Sequence, residues 1–351
     1  MAKKEKYRFQ LTTEQLLKQY EREEYRPRVL LTGAKQRSVD IHLPNEPIQY
    51  EVVYANGYDV GDAYPVAFEE EMKSYAGAVD RPLHEQIHLV LYCIHAPHRR
   101  ITAVDLRTIR LFQEKDFPVL IVLTGVERVE EKITEQFRRA FQHEQLPYME
   151  MTDERSSVAP LYRWLNAHCE EGMKTRTEKL QFHDLEVAKK DVEKSIRRHV
   201  AAAFAVGFTP IPFADGPILL ANQAKMLSKV LETYQLGSLA SHIQSIIAAL
   251  GVGELVSQFG RYLVAQIVKF IPGVGTVAGG VINGTVASAI TISLGLTVSE
   301  MSYQAAKQKI VDPQLEIGTF FKETFSQETI RELFQGFLKV ETERLKKKTD
   351  E

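Results

Sequence analysis

The chain has 351 residues, a formal net charge of −2 from 44 Lys+Arg against 46 Asp+Glu, 44% hydrophobic residues and two cysteines. That length suits two domains or one large one, and the composition is that of a globular protein able to bury a core. The near-zero charge excludes a generally basic nucleic-acid binder, and Cys93 and Cys169 cannot make a disulfide framework or a four-thiolate zinc site. The basic N-terminus (MAKKEKYRFQLTTEQ) has no apolar core behind it and is not read as a secretory signal. The expected setting is the cytoplasm, with peripheral attachment at the inner face of a membrane as an option.

Residues 1–25 predict a polar helix over Thr13–Glu24, with Thr12 or Thr13 as its N-cap. From Arg26 to about His168, short apolar runs alternate with helical stretches. The runs are Arg28–Thr32, Gln49–Tyr54, Ile87–Ile94, Pro118–Thr124 and Tyr148–Thr152. The helical stretches are Val66–Ala78, Ala103–Lys115, Val129–Gln142 and Val158–Ala167. Buried strands alternating with amphipathic helices predict an α/β sheet covered on both faces.

His84-Glu85-Gln86-Ile87-His88 matches H-E-x-x-H, which binds zinc when both histidines share one helix face. Here Pro82 precedes it and His88 joins the strand run, where the two positions stand roughly 13 Å apart. The extended zincin pattern also fails, with Leu91 and Ile94 where Gly and His belong. No metal site is expected. His95, His98, Arg99 and Arg100 follow that strand, as either a solvated basic loop or an anion contact.

From about Thr175 the strand pattern ends. Lys179–His199 carries Leu180, Leu185, Val187, Val192 and Ile196 near helical spacing. Three charge-poor stretches follow: Ala201–Ala224 with Asp215 alone, Thr233–Gly253 with no charged residue, and Tyr262–Ser299 with Lys269 alone. A charged amphipathic helix over Glu328–Leu345 and the basic run Lys346–Lys348 close the chain. The expected division is an N-terminal helix (1–25), an α/β domain (26–170) and a helical domain (176–345).

The order of strands and loops in 26–168 resembles the G domain of bacterial and eukaryotic GTPases of the dynamin and septin kind. The resemblance is carried above all by IHLVLYCIHAPHRRIT…PVLIVLTGVERV over Ile87–Val129. It implies a P-loop-NTPase-like sheet, and it also exposes what is lost. A Walker A loop needs Gly-x-x-x-x-Gly-Lys-Ser/Thr, so that backbone amides and Lys hold phosphate and the hydroxyl holds magnesium. After the first strand the chain offers Gly33-Ala-Lys-Gln-Arg-Ser38-Val39-Asp40, with only the first Gly in place. Tyr54 stands where the metal-linked Asp of Asp-x-x-Gly belongs, although Gly57 is kept. In the guanine-reading loop Gly125 replaces Lys and Glu127 occupies the place of Asp. Gly33 and Tyr54 are also too close in sequence for the usual first helix and switch loop. The domain therefore reads as a degenerate, shortened G domain with no cofactor, and GTP with magnesium belongs only to the rival reading of a divergent GTPase. If nucleotide binds, Gly33, Lys35, Gly57 and Glu127 are the residues expected to line the vestigial pocket.

Val200–Asp215 (VAAAFAVGFTPIPFAD), Gln223–Met226 and Lys269–Gly280 (KFIPGVGTVAGG) resemble the YcjF-type helical domain found behind bacterial GTPase domains. The resemblance covers about Glu193–Tyr303 and implies membrane-linked settings. Gly275-x-x-x-Gly279 and Gly280-x-x-x-Gly284 put small residues one turn apart, which allows close helix approach in lipid or in a soluble core. The expected function is non-catalytic: a helical domain that binds a membrane surface or a protein partner. Contact is expected through a Phe270–Leu296 hairpin, by Phe270, Ile271, Val281, Val286, Ile290 and Leu294. The rival readings are a divergent GTPase and an integral membrane protein inserting 262–299. Oligomeric state is left open.

Overall fold

The structure, a computed structural model, describes residues 6–34, 50–62, 64–152, 158–208, 215–237 and 276–349. The chain divides into two compact units, Leu11–His183 and Met1–Gln10 with Asp184–Glu351.

In the first unit, five parallel strands form one sheet in the order β2-β1-β3-β4-β5. They are β1 (Arg28–Gly33), β2 (Glu51–Tyr54), β3 (Leu89–His95), β4 (Val119–Thr124) and β5 (Tyr148–Met151). Both faces of the central strands are buried, which is why these segments read as unbroken apolar runs rather than alternating ones. Val90, Tyr92, Ile94, Ile121 and Leu123 pack on one side beneath α2 (Val66–Gly77), α3 (Ala103–Glu114) and α4 (Glu131–His143). Phe68, Met72, Phe112, Phe137 and Phe141 are the main helix side chains in that layer. Leu89, Leu91, Cys93, Leu120 and Val122 face the other way, onto Leu161, Leu165 and Cys169 of α5 (Val158–Phe208). The expected α/β sheet with helices on both faces, followed by a helical region, is therefore present.

α1 (Thr13–Arg22) carries a capping box: Thr12 accepts from the Gln15 amide, and the Gln15 side chain accepts from Thr12. Its Leu17 and Tyr20 pack with Leu83 and Leu180.

α5 corrects an expectation. Helices over 158–167 and 179–199 are in fact one helix of 51 residues, about 76 Å long at 1.5 Å per residue. Gly172 lies inside it because the strand edge approaches closely: a Cβ there would come within 2.4 Å of the His88 carbonyl oxygen. Leu180, Leu185, Val192 and Ile196 are buried, whereas Val187 is exposed.

The second unit contains the end of α5, α6 (Asp215–Thr233), α7 (Thr276–Val311), α8 (Ile317–Thr324) and α9 (Gln327–Thr349). α7 is its centre, packing most extensively against α9 and α6. Ile290, Leu294, Val298 and Met301 are buried, together with Thr291, Ser293, Thr297 and Ser299. These hydroxyls are satisfied locally: Ser293 donates to the Ala289 carbonyl (2.7 Å), Thr297 to that of Ser293 (2.7 Å), and Gln223 donates to Thr291 (3.1 Å). Gly284 meets α5 face to face, since a Cβ there would lie 2.9 Å from the Phe204 carbonyl oxygen. Of the small residues expected to allow close approach, Gly284 does so inside the unit.

Candidate functional site

In open α/β sheets, ligands bind beyond the carboxyl ends of the strands, where the strand order reverses. Here that point lies between β1 and β3, because β2 flanks β1 on one side while β3, β4 and β5 lie on the other. Gly33 ends β1 with φ +135°, and a Cβ there would come within 2.1 Å of the Cys93 carbonyl oxygen of β3. The neighbouring strand alone therefore requires a glycine. The Gly33 carbonyl accepts from the Tyr58 amide (3.4 Å), and Ala34 bridges to Tyr58, which brings Gly57 beside Gly33.

Glu127 is not gathered there. Glu127 lies beyond β4, two strands from β1, in a 3-10 turn over Val126–Arg128. It is exposed and paired with Arg128 at 3.3 Å. Lys35, Ser38, Val39 and Asp40 lie outside the described residues. Tyr54, which the G-domain resemblance would set in the place of the metal-linked carboxylate, is 55% exposed and offers a phenol.

Gly125 has a structural reason of its own. Its φ is +69°, and a Cβ would sit 2.7 Å from Cε1 of His95, so the lysine of a guanine-reading loop has no room at this position. The His95 ring is nearly buried, lies edge-on to His98 with centroids 5.2 Å apart, and pairs through Nδ1 with the Thr124 hydroxyl at 3.1 Å. This loop is organised around a histidine. Tyr54 and Gly125 do not fit a magnesium-bound guanine nucleotide, and no catalytic step is derived through one.

What does occupy the carboxyl edge is a buried network. Asp105 Oδ1 accepts from the hydroxyls of Tyr58 (2.6 Å) and Tyr92 (2.8 Å), and Oδ2 accepts from the Thr102 amide (2.7 Å) and hydroxyl (2.9 Å). The Asp105 amide returns a bond to Thr102 Oγ1 (3.1 Å), completing a capping box at the start of α3. Burial, and then the adjacent carboxylate, raise both phenols well above the ordinary tyrosine range, so they remain neutral donors. A helix N-terminus is a ready anion site; here the chain's own carboxylate fills it. The sequence carries no sign that Tyr58 and Tyr92 converge on Asp105, because those residues are brought together only by the fold.

The H-E-x-x-H segment is no zinc site. His84 lies in a 3-10 turn over Leu83–Glu85 and stacks on Tyr25. His88 is fully buried and accepts the Arg28 amide at Nδ1 (2.9 Å). Among the described residues, no group of three or more His, Cys, Asp or Glu is placed to hold a metal.

In the helical unit, Val286 is half-buried, while Ile290 and Leu294 are in the interior. Contact through those two would need an opened bundle. Val281 lies on α7; Phe270 and Ile271 are outside the described residues. Residues 283–311 are long and apolar enough to cross a membrane, and 72% of their most apolar window is buried inside the protein.

No family model matches the chain. Over 103 residues, 29% of its length, it is 32% identical to magnetosome membrane protein 22 of Magnetospirillum gryphiswaldense. The chain spans about half of that relative, 53% of its length. A solved structure described as an oligomerised bacterial dynamin pair, with a mechanism for long-range sensing and tethering of membranes, aligns over 95% of this chain and 82% of its own, with TM-score 0.30 and 8% identity. A likeness that weak decides nothing about this chain.

Proposed function

We propose that this is a non-catalytic, GTPase-like protein whose helical unit associates with a membrane surface. The observation that carries the reading is the contrast between the two units. In the α/β unit, Gly125 and Tyr54 replace the groups that would read guanine and hold magnesium: Gly125 makes room for the His95 ring, and Tyr54 is an exposed phenol. In the helical unit, 200–208, 216–222 and 276–299 contain no Asp, Glu, Lys or Arg. The partial relative named as a magnetosome membrane protein fits the same direction. Because α7 packs along α6 and α9 with its hydroxyls satisfied inside the unit, we read it as the core of a peripheral protein and not as a permanent span.

The test has two arms. Calorimetric titration with GTP and GDP plus magnesium should give no micromolar binding; magnesium-dependent micromolar affinity would overturn the non-catalytic half. Carbonate washing of membranes carrying the protein should release it, whereas full retention would show a span.

A second reading is favoured by one observation: Gly33 and Gly57 still meet at the switch point. It is weak nucleotide binding without turnover, with Gly33, Lys35, Gly57 and Glu127 as the lining. Lys35→Ala should then weaken binding, since a cation beside the phosphates carries most of the charge compensation; unchanged affinity would remove Lys35 from the site.

A further inference from the structure

The helical unit is electrically layered, and a hydrogen-bonded pair fixes the level of the layers. His199 of α5 and Asn222 of α6 bond reciprocally: Nδ1 of His199 pairs with Oδ1 of Asn222 at 2.8 Å, and Asn222 Nδ2 donates to the His199 carbonyl at 2.9 Å. The two helices run antiparallel, so 200–208 and 216–221 lie on one side of this level. Neither stretch contains a charged residue, and Phe204, Ile218 and Leu220 are 40%, 56% and 58% exposed there. On the other side, α5 presents Lys194, Arg197 and Arg198, and α6 presents Lys225 and Lys229, all exposed. The stretches 194–198 and 225–229 contain no carboxylate. Three of these cations, Lys194, Arg198 and Lys229, line a groove of about 1000 Å³ together with Lys6, and its acids Asp191 and Glu232 stand 3.6 and 3.8 Å from Lys194 and Lys229.

Resting on the membrane reading above, we propose that the α5–α6 end is the element that docks, and that its partner is an anionic phospholipid bilayer. At 1.5 Å per residue, the apolar side chains and the cations are separated by roughly 8–17 Å along the helices. Interfacial helices bury their apolar faces about 5–10 Å into the headgroup and acyl boundary. Phe204, Ile218 and Leu220 thus reach the acyl layer when the five cations stand among the phosphates, with their long stems free to snorkel outward. Charge complementarity selects this occupant: apolar matter beneath a continuous anionic layer is what a bilayer offers along its whole surface. The docking surface differs from the Phe270–Leu296 hairpin, whose Ile290 and Leu294 are buried in the unit.

The test uses the full chain in sedimentation with vesicles of phosphatidylglycerol and phosphatidylcholine, and with phosphatidylcholine alone. Wild type should bind the anionic vesicles and lose affinity as salt rises. Arg197→Gln with Arg198→Gln should lower partitioning roughly 25-fold, at about fivefold per cation. Ile218→Glu and Leu220→Glu should each cost at least tenfold without changing the melting temperature, while Val340→Glu, equally exposed on α9, should bind as wild type. In Leu220→Trp, acyl-brominated lipid should quench fluorescence beyond the change seen from Trp164 in wild type. Wild type that binds while the α5–α6 variants bind equally well would overturn this assignment and leave the membrane reading standing. Wild type that binds neither vesicle would sink both. Loss of self-association in the glutamate variants, with vesicle binding intact, would make this end an interface between copies and overturn the lipid assignment.

Discussion

His88 accepts the Arg28 amide through Nδ1, so its proton sits on Nε2, in a fully buried position edge-on to Tyr20. Burial, reinforced by Arg176 and Arg28, pushes its pKa down to about 3. The folded state therefore binds fewer protons than the unfolded chain below the ordinary histidine value. The stabilisation is complete above about pH 6.5 and is lost as pH falls toward 3, at up to ~1.4 kcal/mol per pH unit. Thermal melts from pH 7 to pH 4 should fall more steeply for wild type than for His88→Gln; parallel curves would show another group to be responsible. Asp105 makes a second residue-scale prediction. Asn there places an amide donor against two phenols, so Asp105→Asn should cost about 1–3 kcal/mol, and Tyr58→Phe, which removes one donor, about 1 kcal/mol. Urea melts of the two variants and their combination would measure the coupling, and strict additivity would mean that the network is not a unit.

Among the elements, α3 is fixed at both ends by groups distant in sequence. Asp105 with the two tyrosines holds its start. Arg176 holds its finish by donating to the Lys115 carbonyl and lying 3.8 Å over the Phe117 ring, while Lys179 pairs with Asp116 at 2.7 Å. Arg176 is almost wholly buried, and desolvation brings its pKa down to about 10. Arg176→Ala should cost about 2–4 kcal/mol by urea titration, because it empties the space of an almost wholly buried side chain and uncovers the Phe117 ring; a loss below 0.5 kcal/mol would show the contact to be idle. The strands were legible to within a residue or two, and the central ones most plainly, because burial on both faces writes β3 and β4 as unbroken apolar runs. The continuity of α5 was not. Residues 169–178 (CEEGMKTRTE) are charged and contain Gly172, and the periodicity that signals a helix is weak there. What keeps that stretch helical is tertiary: the close approach of Gly172 to the His88 carbonyl, and Arg176 reaching across to α3. In the site, Tyr54 and Gly125 were legible as departures from a motif. The clash with His95 that makes Gly125 necessary was not, since it needs two loops from different strands.

At the scale of the molecule, the stretch 276–299 at the centre of the helical unit contains no charged residue. The helical unit depends on a centre with little charge of its own, so a single buried carboxylate should be ruinous. Leu294→Glu places an unpaired charge where the wild-type residue is about 1% exposed, at a cost of several kcal/mol. The expected outcome is loss of helical circular dichroism at 25 °C, and a cooperative melt near the wild-type temperature would overturn the assignment of α7 to the core.

α7 is covered on one side by α9, which is made last among the described elements. During synthesis, therefore, an apolar helix of membrane-spanning length leaves the ribosome before its cover does. At about 5–20 residues per second, the interval until residues 327–349 follow is a few seconds. In that interval the nascent chain displays a segment that lipid and insertion machinery would accept, with the Ser293 and Thr297 hydroxyls turned back onto its own backbone. The order of α7 and α9 along the gene product thus sets a race between bundle closure and capture. Chains halted at Ser326 should lose that race and collect in membranes or aggregates, a partition that ribosome-release fractionation would read directly.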